Sequence, residues 1–251
     1  MCFTVNVNII REELESRYGS QLIDPENYRP SYYYHAFAFP DLPVVYLNDK
    51  YEKEIRTMKW GLIPSWTDSE EKALKIRTMT HNARSETVES KPSFADSFKR
   101  RRGLLPVAGF FEWQHLPSGK RPWYIYRPDR ALISLGAIFD TWQRPLPGSP
   151  GTDKQDSVAY LSSFSVLTTG ANKLMEEIHN SKKRMPVIIP EHLEEEWLES
   201  GDIRKEEFLK PAAEDFLKAH TVSPQLGKAG IQKNMPGIIE AYDFPVEPSL
   251  F

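Results

Sequence analysis

Cysteine is almost missing from this sequence: Cys2 is the only one in 251 residues. That excludes an internal disulfide framework and a multi-cysteine metal site, and it fits a reducing, cytoplasmic location. Long apolar runs are missing too. No stretch approaches the ~20 residues that a spanning helix needs. No basic segment followed by an apolar one opens the chain, so neither a membrane anchor nor a signal peptide is expected. An excess of positive charge is also lacking. Lys and Arg number 32 against 35 Asp and Glu, a net charge of -3 at pH 7, so any nucleic-acid site must be a local patch. There is no Gly-rich phosphate loop, no Gly-x-Ser-x-Gly and no dinucleotide fingerprint, which argues against nucleotide hydrolysis and hydride transfer. His35, His81, His115, His179, His192 and His220 show no metal-ligand spacing. No metal and no organic cofactor are expected.

What is present reads as a globular chain of many short elements, with 20 prolines and 11 tyrosines. Phe3 to Ile9 alternates apolar and polar residues, a half-buried strand that places Cys2 at the rim of a sheet. Arg11 to Tyr18 reads as a short helix stopped by Gly19. Leu104 to Trp113 reads as one central strand interrupted at Gly109, and Trp123 to Tyr126 as its return. Glu191 to Leu198 and Glu206 to Lys218 read as amphipathic helices. Residues 143–155, rich in Pro and Gly, read as an exposed loop, and 224–251 as a tail that is mostly coil. Strands spread along the whole length predict a single α+β domain over 1–251, with a mixed, barrel-like β-sheet core and peripheral helices.

Cys2 stands where loss of one methionine would make it the N-terminus. A terminal cysteine carries an α-amine and a thiol on adjacent carbons, with reference pKa values of about 7.7–8.0 and 8.5. That pair condenses with an aldehyde to a thiazolidine. The alternative is a small buried residue that opens a strand. Glu112, flanked by Phe110, Phe111 and Trp113, is a carboxylate whose desolvation would suit it to proton transfer; it could equally end a strand in water. His179 is a candidate acid or base, or else a helix C-terminal histidine on the dipole. Asn82, Arg84 and Glu86 share one side of an extended segment, where Arg84 would grip a phosphate; the alternative is a solvated strand face. Trp60 and Trp66 are candidate stacking surfaces, or core. The run Lys99–Arg102 and the group Lys182, Lys183 and Arg184 are candidate phosphate contacts.

Taken together, these stretches resemble one family. They are Met1-Cys2, Trp60-Gly61-Leu62-Ile63-Pro64-Ser65-Trp66, Asn82-Ala83-Arg84-Ser85-Glu86-Thr87, Gly109-Phe110-Phe111-Glu112-Trp113, Ile178-His179 through Arg184-Met185-Pro186, and Ala219-His220-Thr221-Val222-Ser223. Their order is that of the SOS-response-associated peptidase (SRAP) family, the abasic site processing proteins. The resemblance implies that Cys2, exposed by self-removal of Met1, bonds to the ring-opened aldehyde of an abasic site in single-stranded DNA and shields the lesion. It implies that Asn82 orients the nucleophile, that Glu112 and His179 move protons, and that Arg84, Trp66, Trp60, Glu86 and Arg184 lie along the DNA. A monomer in the DNA-damage response is expected. Three departures stand out. Phe3-Thr4 replaces the usual Gly-Arg after the cysteine, Tyr34-His35-Ala36-Phe37-Ala38 replaces Tyr-Asn-x-x-Pro, and two extra residues follow His179. Two other functions stay open: a thiol peptidase or amidase acting on other polypeptides, and a non-covalent single-strand binding module.

Overall fold

The computed structural model describes residues 2–145 and 158–245. The strands are β1 (Thr4–Val7), β2 (Ser31–His35), β3 (Asp41–Leu47), β4 (Lys53–Trp60), β5 (Asn82–Arg84), β6 (Arg102–Val107), β7 (Gly109–Leu116), β8 (Gly119–Tyr126), β9 (Ile133–Pro145), β10 (Val158–Gly170), β11 (Arg184–Pro186) and β12 (Lys218–Thr221). The helices are short: α1 (Arg11–Tyr18), α2 (Glu70–Arg77), α3 (Ala95–Arg100), α4 (Lys173–Ile178), α5 (Glu194–Leu198) and α6 (Lys205–Phe208).

Five strands close on themselves. β4, β3, β6, β9 and β10 are antiparallel neighbours in that order, and a parallel β10–β4 pair shuts the ring. β11 and β5 hang on the far end of β10. A second sheet runs β12-β8-β7-β1-β2, all antiparallel. Val5, Phe110 and Ile125 from its inner face join Leu104, Ile138 and Val166 of the barrel in one core. This is the expected α+β domain with a mixed, barrel-like sheet.

Local sequence explains most elements. In α1, Leu14 and Tyr18 are buried four residues apart, Arg11 bonds Glu15 at 2.8 Å, and Gly19 ends the helix at φ 61. That left-handed backbone is one glycine adopts without a Cβ penalty. Asn172 caps α4 by accepting from the Met175 N–H at 3.0 Å.

Four readings need correction. β1 is buried on both faces rather than half-buried, because Val222, Leu226 and Ile238 cover the outer face of the five-stranded sheet. For the same reason the stretch after Pro224 is more than coil: two 3₁₀ turns, Pro224–Gly227 and Pro236–Ile239, seat those side chains. The run from Leu104 to Trp113 is two strands in different sheets. Ala108 marks the crossing, and Gly109 lets the Tyr124 ring come so near that a Cβ would meet it at 2.5 Å. In place of the helix expected over Glu206 to Lys218, only one turn, Lys205–Phe208, forms. Pro211 then blocks its continuation, and β12 adds to the sheet edge instead. The loop expected at 143–155 lies outside the described residues except for its start, where Gln143 and Arg144 extend β9.

Arg102 is not a phosphate contact either. It is buried at 2% exposure, and its guanidinium donates to the carbonyls of Trp197, Phe98, Gly201 and Glu199, tying α3 to the end of α5. Arg102→Met strands these acceptors, so we expect it to destabilise the fold by about 3 kcal/mol, read as a lower urea midpoint at unchanged m-value.

Candidate active site

The register of β1 on β7 sets the first part of the site. Thr4 lies opposite Phe111 and Val5 opposite Phe110, so the next step outward sets Phe3 beside Glu112. Cys2 follows, with 0% exposure, its thiol directed at the Thr4 carbonyl 3.9 Å away. Burial pushes the Cys2 thiol well up, and the Glu112 carboxyl adds to the shift. Glu112 is itself buried, which raises its pKa to about 7.

His179 ends α4 and comes from the barrel side. Gln114 donates to the Glu177 carbonyl at 3.2 Å, and Asn180 exchanges two bonds with the backbone of His115, at 3.0 and 2.8 Å. These clamps hold the end of α4 against β7. His179 Nε2 lies 4.0 Å from Glu112 Oε2. That is too long for a hydrogen bond. Nor is it an ion pair, since burial lowers the His179 pKa to about 4 and both groups are neutral between pH 4 and 7. Nδ1 is 2.9 Å from the Arg184 carbonyl, closer than the 3.3 Å to the Arg184 N–H. The shorter contact assigns the proton to Nδ1 and leaves Nε2 unprotonated on the side of Glu112.

His179 is followed by a tight turn. Lys183 adopts φ 50, and its N–H bonds the His179 carbonyl at 2.8 Å. Arg184 then returns its own carbonyl to the imidazole. Its guanidinium grips Glu86 bidentately, at 2.5 and 3.0 Å, and bonds the Thr168 carbonyl at 2.6 Å. Burial acts against a charged Glu86, but Arg184, the Glu86 backbone and Arg84 more than offset it and hold the carboxyl below its ordinary range. Arg184 and Glu86 were expected along the DNA. The structure pairs them with each other, behind His179.

Asn82 opens β5, parallel to β10 and opposite Val166. The nitrogen and oxygen of its amide are both buried without a hydrogen-bond partner. Its neighbour His81 packs edge-on to Phe3, ring centres 6.1 Å apart, which places β5 against the start of the chain. Burial, then Arg77, lowers the His81 pKa to about 4. Arg84 is exposed. Trp66 is 56% exposed, its indole N–H 3.4 Å from the Pro92 carbonyl. Trp60 does not serve as a stacking surface. It is 0% exposed, stacks on Phe164 and donates to the His81 carbonyl at 2.8 Å. A strand that feeds the barrel core turns the indole inward.

Glu112 is reached through a cavity of about 760 Å³ whose walls include Phe3, Tyr33, His35, Lys120 and Lys233. The aromatic stretch from Tyr32 to Phe39 was visible in the sequence, but no periodicity assigns it to this opening. Among the described residues, no group of three or more His, Cys, Asp or Glu is placed to hold a metal. No helix of the described residues is long and apolar enough to cross a membrane.

Reactive groups gathered around residue 2, on a barrel closed by one parallel pair and flanked by a five-stranded sheet, define the class of α+β protein seen here. The chain belongs to the SOS response associated peptidase (SRAP) family, whose model matches residues 1–229. It is 30% identical over 226 residues to the abasic site processing protein YoqW of Bacillus subtilis, covering 88% of this chain and 91% of that one. It is 31% identical over 181 residues to the abasic site processing protein HMCES of Xenopus tropicalis, covering 64% of this chain and half of that longer protein. A crystal structure of a protein from Bacteroides thetaiotaomicron superposes with a TM-score of 0.84 at 33% identity, over 96% of this chain and 100% of that one.

Proposed function

We propose that this protein captures abasic sites in single-stranded DNA as a thiazolidine on Cys2, after Met1 has been removed. The observation that carries the reading is a buried Cys2 whose thiol feels the Glu112 carboxyl, with the His179 imidazole 4.0 Å from that carboxyl and the two neutral at the same pH. An abasic sugar is mostly a closed hemiacetal. Nε2 of His179 takes the anomeric hydroxyl proton while Glu112 protonates the ring oxygen, and the aldehyde opens. The Cys2 amine adds to it, the His179 imidazolium protonates the departing hydroxyl, water leaves, and an iminium forms. The carboxylate left on Glu112 then takes the thiol proton as sulfur closes on the iminium carbon and the nitrogen recovers its electron pair. Aldehyde and aminothiol become thiazolidine and one water. Asn82, both of whose amide atoms are buried without a hydrogen-bond partner, orients the amine; those unused groups support the role. Arg84 and Trp66, both exposed, are available to the strand. The same proton carriers serve the hydrolysis that exposes Cys2: water adds to the Met1 carbonyl, and the Cys2 nitrogen leaves as an amine.

The Cys2 thiol bears on the rival. A thiol hydrolase needs its thiolate at rest, held down by a positive neighbour. Here burial and Glu112 push the thiol the other way. A resting neutral thiol, recruited only after the amine has reacted, fits condensation better than attack on a peptide. Intact-mass spectrometry after mixing with an abasic single strand tests the reading. The expected adduct is protein without Met1, plus the oligonucleotide, less one water. Protein that retains Met1 yet forms the same adduct would overturn it.

A further inference from the structure

Beside Cys2 a row of rings runs away from the site along the outermost strand of the five-stranded sheet. Tyr33 lies 6.4 Å from His35, His35 5.5 Å from Phe37, and Phe37 5.1 Å from Phe3. Phe37 is 53% exposed, on the 3₁₀ turn Ala36–Ala38, and its own N–H donates to the His35 ring at 3.4 Å. Its ring also packs against the buried His81, centres 4.7 Å apart, yet stays about half exposed. Lys233 sits over the Tyr33 ring at 4.9 Å and, with Lys120 and Lys228, lines the cavity that reaches Glu112. Asn234 accepts from the Tyr32 N–H at 3.0 Å, which fixes the lysine-bearing segment to this strand.

We propose that Tyr33, His35 and Phe37 form a stacking track for the unpaired bases next to the captured sugar, with Lys120, Lys228 and Lys233 neutralising their phosphates. The proposal rests on the DNA reading above and names where the strand runs. The exposed ring surface carries the choice of single over double strand. Bases inside a duplex have both faces stacked already, so only unpaired bases can lie against these rings. An aromatic surface flanked by cations is the arrangement that holds single strands without sequence preference. The track is continuous with the site, because Phe3 touches both Phe37 and His81.

The test separates the track from the chemistry. Fluorescence anisotropy with lesion-free oligothymidine reads the track alone. Phe37→Ala is expected to weaken that binding about tenfold, with Phe37→Tyr close to the parent, as base–ring stacking predicts. Charge reversal in the double variant Lys228→Glu, Lys233→Glu is expected to lower the slope of log affinity against log salt by about 0.7 for each phosphate that is no longer neutralised. Parental affinity in Phe37→Ala, or tight binding of intact duplex, would overturn the proposal. Capture of 2-deoxyribose 5-phosphate, which has no neighbouring base, reads the chemistry alone. If the parent leaves that sugar untouched while Phe37→Ala still loses oligothymidine, the cross-linking reading falls and the track stands.

Discussion

Placing one residue that cannot be trimmed ahead of Cys2 should abolish stable capture of abasic DNA, a drop of about 1,000-fold or more in rate. The thiol survives in this variant, and the strand that starts at Thr4 keeps its partners Phe111 and His35. What disappears is the primary amine, which becomes an amide nitrogen unable to form an imine. The advantage that goes with it is intramolecular: once the imine exists, the thiol on the next carbon closes with an effective molarity that reaches ~10⁵ M or more. Cys2→Ser isolates the other half. It keeps the amine and forms an imine, but its hydroxyl does not hold the ring, so the adduct should dissociate when the DNA is denatured. A denaturing gel with parent, extended and serine proteins decides both points. A stable cross-link from the extended protein would show that the amine is dispensable and would favour the thiol hydrolase.

Several of the groups that bear on this chemistry were readable in the chain, for identifiable reasons. Cys2 declares itself by being alone, and Glu112 by sitting within Phe110, Phe111 and Trp113, a setting open to desolvation or to a strand end in water, between which the fold chooses burial. His179 was readable as a helix end, and α4 closes on it. What linear order hides is pairing across the fold. Glu86 and Arg184 each look like a DNA contact in isolation. Their bond spans 98 positions, and it pairs them with each other behind His179. Trp60 shows the limit of composition, because an indole beside Gly61 and Pro64 reads the same whether the strand turns it to water or to Phe164. Arg102 belongs with it: a basic run looks like a surface until backbone carbonyls from residues 98 and 197 to 201 converge on one member. Gly109 was seen as an interruption, but the crossing from barrel to sheet is a tertiary event that no two-residue period encodes. The row from Tyr33 to Phe37 was visible as aromatic content only.

Glu112→Gln and His179→Ala should each slow capture by about 10²–10⁴-fold, and the pH profile should tell the two effects apart. In the parent, the productive state has Glu112 protonated and His179 neutral. Divided by the fraction of Cys2 amine that is free, which rises across the same window toward its ordinary value of about 7.7–8.0, the rate should therefore level off between His179 at about 4 and Glu112 at about 7. Removing the glutamic acid removes the limb near pH 7, and removing the imidazole removes the limb near pH 4. Stability moves with opposite signs at the two groups. Glu112 holds a proton in the fold that an ordinary glutamate, at 4.5, gives up, so stability falls as pH rises from 4.5 through 7. His179 refuses a proton that an ordinary histidine, at 6.5, accepts, so stability falls as pH drops from 6.5 through 4. Glutamine cannot ionise, and Glu112→Gln should thus melt above the parent at pH 8 and near it at pH 5, while capturing slowly at both. That combination separates a proton carrier from a packing residue, since poorer packing lowers rate and melting temperature together. Melting curves at the two pH values, set beside capture rates, make the check. Parental rates in both variants would remove Glu112 and His179 from the mechanism and leave Cys2 to act without a proton relay.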